Sequence, residues 1–105
     1  MTKINEMDKL ERYLILNGYR YKRFEETNMS EIMGVDIGRK QIVVYKNGKR
    51  SWDAICHYGS YGFEKGLLEI MGDIVDEEKD GDGVVGWLTA QDVINRLEEN
   101  ATHEY

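Results

Sequence analysis

The sequence predicts an α+β domain: a small antiparallel three-stranded sheet with an N-terminal helix and two C-terminal helices packed on one face. Three observations carry this. Apolar residues recur at helical spacing near the start of the chain. Two alternating runs flank Asn47-Gly48. Two further helical stripes follow the alternating runs. With 105 residues and 41% hydrophobic content, the chain is sized for one domain with one core, and residues 100–105 are expected as a frayed tail.

Ile4, Met7, Leu10 and Leu14 predict an amphipathic helix over residues 3–16, and Asn17-Gly18 supplies its stop. Residues 19–26 alternate Tyr19, Tyr21 and Arg23 against Arg20, Lys22 and Phe24, which predicts a strand. Residues 27–39 show no period and read as a loop. Asn47-Gly48 is the preferred pair for a two-residue hairpin turn. Its register sets Lys46 opposite Lys49 and Val43 opposite Trp52. One face then holds Val43, Tyr45, Arg50, Trp52 and Ala54, and the other holds Ile42, Val44, Ser51, Asp53 and Ile55. Phe63, Leu67, Ile70, Met71 and Ile74 form a stripe that predicts a short helix over 62–71, weakened by Gly66. Residues 73–83 read as an acidic turn. Thr89 with Asp92 forms a capping box for a last helix, with Leu88 and Val93 as its hydrophobic staple.

Charge divides along the chain. Residues 1–50 carry eleven Lys/Arg against seven Asp/Glu, and residues 51–105 carry three against thirteen, within a net charge of −6. A chain so divided can fold into a body with a basic and an acidic face, and such fields act on partner choice and encounter rate. The single cysteine fits a reducing compartment. The N-terminus lacks the apolar run of a signal peptide, and no window approaches a membrane span, so a soluble cytosolic protein without membrane contact is expected.

The segment Ser51–Gly72 gathers Cys56, His57, Trp52, Tyr58, Tyr61 and Phe63. Cys56 and His57 are neighbours on a predicted strand, so their side chains point to opposite faces and His57 cannot activate the thiol directly; a structural cysteine is the reading. One cysteine and two distant histidines give no zinc spacing. Asp53, His57 and Ser60 lie too close in sequence for a hydrolase triad and have no glycine elbow. Glu78 to Val85 resembles the first part of an EF-hand calcium loop. Thr89, however, stands where that loop needs a bidentate glutamate, so a solvated acidic turn is the reading. No catalytic residue, metal or cofactor is expected.

At WDAICHYGSYGFEKGLLEIMG and GWLTAQDVINRL the chain resembles a group of small, mostly uncharacterised proteins of phages, prophages and mobile elements of Gram-positive bacteria. The resemblance spans roughly Trp52 to Leu97. It covers a tryptophan-containing strand, a Gly-Ser-Tyr-Gly turn, a helix beginning GLLE and a closing LTA-x-DVI helix. It implies a mobile-element origin and brings no catalytic residues. Small acidic proteins of such elements often act on host machinery, inhibitors of CRISPR nucleases among them. The expected function is therefore a non-enzymatic, anti-CRISPR-like module that binds a host protein such as a nuclease. Asp76, Glu77, Glu78, Asp80 and Asp82 would supply its field, and Trp52, Tyr58, Tyr61 and Trp87 its anchors. The alternative is nucleic-acid binding through Arg20, Lys22, Arg23, Lys46, Lys49 and Arg50, where cations meet aromatic rings.

Overall fold

In the computed structural model, which describes residues 5–32, 34, 38–76 and 83–103, the chain folds as α1 (Glu6–Leu16), β1 (Arg20–Glu25), β2 (Lys40–Lys46), β3 (Lys49–Cys56), a single 3-10 turn (Phe63–Lys65), β4 (Leu68–Gly72), β5 (Val84–Leu88) and α2 (Ala90–His103). The five strands form one antiparallel meander in chain order. Both helices pack on one face. Met7, Leu10 and Leu14 of α1 and Ala90, Val93 and Leu97 of α2 meet Ile42, Val44, Trp52, Ala54, Leu68 and Ile70 of the sheet.

The helix ends follow their local chemistry. The Asn5 side chain accepts the Asp8 N–H at 2.8 Å and opens α1. Tyr19 N–H to Leu14 O and Gly18 N–H to Ile15 O close it, with Gly18 at φ 72°. The expected capping box opens α2: Asp92 N–H donates to Thr89 Oγ1 at 3.1 Å, and Thr89 N–H donates to Asp92 Oδ2 at 2.9 Å. Glu6 of α1 adds a third cap by accepting the Ala90 N–H at 2.8 Å, across 84 positions of sequence. Helix α2 runs from Ala90 to His103.

Three expectations are corrected. The sheet has five strands rather than three, and one C-terminal helix packs on it rather than two. Residues 62–71 are not a helix. Gly62 (φ 96°) and Gly66 (φ 70°) bracket one 3-10 turn, after which the chain extends. The stripe at helical spacing is not buried as a unit: Met71 is 44% exposed, whereas Leu68, which the stripe leaves out, is fully buried with Ile70 two residues on, at strand spacing. The GLLE sequence thus leads into β4. Strand β5, VVGWL, carries no clean alternation because Gly86 interrupts it.

The hairpin register is the third correction. Lys46 pairs with Lys49 and Tyr45 with Arg50 as expected, but Val44 then pairs with Trp52 and Val43 with Asp53. A β-bulge leaves Ser51 as an extra residue, and everything beyond it changes face. Trp52 therefore joins Ile42 and Val44 in the core, 3% exposed. The cause is non-local. Gly72, at φ 109° at the end of β4, brings its backbone against Ser51 and Trp52, and Asp73 closes the bulge through N–H to Ser51 O (2.9 Å) and Ser51 Oγ to Asp73 Oδ2 (2.9 Å).

Candidate binding surfaces

The loop from β3 to β4 is tied by Ser60. Its hydroxyl donates to His57 O at 2.7 Å and accepts the His57 N–H at 3.1 Å, and its own N–H returns to His57 O at 2.8 Å. The His57 ring donates from Nδ1 to Tyr58 O at 2.9 Å. Tyr61 N–H then reaches Glu69 Oε1 at 3.1 Å, and Tyr61 O accepts the Trp87 N–H at 3.3 Å. The loop thus lies along β5. Gly86 permits this, because a Cβ there would collide with the Tyr61 side chain.

Trp87 sits at φ 60°, a left-handed backbone that bulky residues rarely adopt. The pairing of β4 with β5 is irregular at this point: Leu68 faces Leu88, but Ile70 faces Val85. The Trp87 ring is consequently turned outward, 54% exposed, beside Tyr58 (56%) and Tyr61 (59%). Phe63 supports Tyr58 edge-on, with ring centroids 6.1 Å apart at 83°. These rings, with Glu64, line an open groove of about 360 Å³. Of the four expected anchors, three meet at one ledge. Trp52 does not, because the bulge places it in the core. Asp76 is exposed; Glu77, Glu78, Asp80 and Asp82, and with them most of the calcium-loop resemblance, lie outside the described residues.

The second surface is the sheet face that carries no helix among the described residues. Cross-strand pairing puts Arg20 and Arg50 on either side of Tyr45. Lys22 Nζ lies 5.9 Å over the Tyr45 ring. The rings and cations of the adjoining sheet edge enclose a groove of about 480 Å³ that includes Tyr19, Arg20, Lys22, Tyr45 and Gly48. Beneath them lies a polar network. Asp53 (6% exposed) accepts from Gln41 Nε2 at 2.8 Å and pairs with Arg50 at 3.0 Å, while Arg39 donates to Gln41 Oε1. Without the bulge Arg50 and Asp53 would point to opposite faces.

Arg23 leaves the expected basic set. It faces α1, where its guanidinium binds Glu11 and Asp8 at 2.9 Å and Glu25 at 3.4 Å. Tyr21 OH donates to Glu11 at 3.0 Å beside it. The basic half of the sequence is thus partly neutralised within the fold. Lys46 and Lys49 face each other at the exposed hairpin tip. Tyr45 was not singled out by sequence reasoning, since its cationic neighbours are set by pairing with β1, about two dozen residues earlier.

Cys56 borders a third cavity of about 280 Å³ with Met7, Phe63 and Leu68. Burial pushes its thiol pKa up, and nearby Lys40 offsets this only in part, so the neutral thiol is favoured. Among the described residues no three His, Cys, Asp or Glu side chains gather as a metal site, and no helix is long and apolar enough to cross a membrane. No family model, curated protein or solved structure matches the chain.

Proposed function

We propose that this chain is a non-enzymatic protein-binding module whose contact surface is the ledge of Tyr58, Tyr61 and Trp87. The observation that carries the reading is Trp87, held at φ 60° and 54% exposed. A non-glycine residue in such a conformation costs about 1–3 kcal/mol, and strain of this kind clusters at functional sites. Tryptophan and tyrosine are also the side chains that most often dominate interface energies. Turning an indole outward at the expense of backbone strain fits docking better than it fits core stability.

The partner that suits this surface is a protein with a basic patch. The chain carries net charge −6, Glu64 lines the ledge groove and Asp76 is exposed. Opposite fields raise encounter rates and exclude like-charged competitors. Together with the resemblance to phage and mobile-element proteins, this points to a host nucleic-acid-processing or defence enzyme as target, with the module acting as an anti-CRISPR-like inhibitor in the host cytosol. Ser60, whose hydroxyl is engaged in its own turn, and Cys56, whose thiol is kept neutral, are poorly placed as nucleophiles.

The test is a comparative pull-down from bacterial host lysate using the wild type, Trp87→Ala and a charge-reversed Asp76/Glu77/Glu78 variant. A host protein retained by the wild type and lost from both variants is expected. Its purified form should bind more weakly as salt rises. Identical retention by all three baits would reject the ledge as the contact surface.

A further inference from the structure

We infer that the sheet edge around Tyr45 is a second binding site, independent of the ledge, and that its ligand is a short single-stranded nucleic-acid segment. Tyr45 is a half-buried ring standing between Arg20 on one neighbouring strand and Arg50 on the other, with Lys22 over it. The arrangement pairs one stacking ring with several phosphate-binding groups, which is the recipe for holding a base and its flanking phosphates. Arg20, Lys22 and Lys49 are exposed, and among the described residues they make no ion pair. Their charge is therefore available to a ligand.

Two features select a single strand. A ring can stack only on a base whose face is free, and duplex bases hide theirs in the stack. The face also continues: Phe24, on the same side of β1 two residues beyond Lys22, is 44% exposed and offers a second ring along the track. The Asp53–Gln41–Arg39 network underneath anchors the platform. Asp53 holds Arg50 by one nitrogen beside Tyr45 rather than drawing it into the core, since the Arg50 side chain remains 57% exposed. The net negative charge of the chain works against nonspecific adhesion, so binding should be confined to this patch.

The experiment is fluorescence anisotropy at low salt with labelled oligothymidine and oligouridine, with a duplex of the same length as comparison. Both single strands should bind, and the duplex should bind less. Three neutralised phosphates predict a slope of log affinity against log salt of about −2. The Arg20→Glu/Lys22→Glu variant, which alters only exposed side chains, should weaken binding at least tenfold and flatten that slope. Tyr45→Ala should weaken it about fivefold or more, while Tyr45→Phe keeps it, because stacking needs the ring and not the hydroxyl. Trp87→Ala should leave it unchanged. No anisotropy change at about 100 µM protein, equal affinity for duplex, insensitivity to Arg20→Glu/Lys22→Glu, or loss on Trp87→Ala would each overturn the assignment.

Discussion

Replacing Gly72 by alanine tests the structural cause of the bulge, and with it the placement of Trp52, Arg50 and Asp53. At φ 109° an L side chain is strained, at about 1–3 kcal/mol. The new Cβ would also stand 2.5 Å from Ser51 O and 2.7 Å from Trp52 Cα. Both are backbone atoms, so β3 and β4 must move apart, adding about 1–3 kcal/mol as overpacking does. The Asp73 N–H to Ser51 O bond would lengthen, a further ~1 kcal/mol. Restriction of the unfolded chain by the added methyl offsets about 0.4–1 kcal/mol. The net loss is about 2–7 kcal/mol, a large share of the roughly 5–15 kcal/mol that holds a domain together. Urea unfolding followed by tryptophan fluorescence reads it directly. With a slope of about 1.5 kcal/mol/M, a loss of ~3 kcal/mol lowers the midpoint by about 2 M. Gly66→Ala is the control: φ is 70°, but nothing lies within 4 Å of its Cβ, so only the left-handed cost of about 1 kcal/mol applies. If Gly72→Ala is no worse than Gly66→Ala, the close approach of β4 to Ser51 is not what sets the register.

Other expectations concern the polar links. Asp53→Ala should cost about 1–3 kcal/mol by leaving the buried Gln41 amide without its acceptor, whereas Arg50→Ala should cost under about 1 kcal/mol because that guanidinium is largely solvated; denaturant midpoints for the two variants and their double mutant separate the effects. Glu6→Ala removes the cap on Ala90 and should lower stability by about 1 kcal/mol, with amide exchange rising first at the start of α2. Burial raises the pKa of Tyr13 and, with the hydrogen bond to Glu11 adding to it, of Tyr21. A raised folded-state value means the neutral phenol stabilises the fold below pH 10.0, the ordinary tyrosine value, and that this stability is lost as pH climbs above it. Circular dichroism against pH should show alkaline unfolding, and Tyr21→Phe should move it to higher pH.

The parts of the fold legible in sequence are those fixed within a few residues. The Thr89 cap, the Gly18 stop and the Asn47-Gly48 turn each depend on neighbours close in the chain, and each forms where the pattern places it. The bulge at Ser51 could not be read this way. A period of two runs unbroken through SWDAIC, and only contact with Gly72 interrupts it. Strand β4 was hidden by ambiguity, since Phe63, Leu67, Ile70 and Ile74 suit a helix while Leu68 and Ile70 suit a strand. The sheet settled the matter by burying the second set. The candidate surfaces divide likewise. Tyr58, Tyr61 and Trp87 stand out as aromatics in glycine-rich sequence, whereas Tyr45 gains its cationic neighbours only through pairing with two other strands.

The link between Glu6 and the amide of Ala90 has a bearing on how the domain is made. During synthesis the carboxylate emerges 84 residues ahead of its partner amide. Closure of the seam between the two helices therefore waits for α2, and a ribosome-bound fragment that stops short of position 90 would present the apolar side of α1 without the cover that α2 gives it.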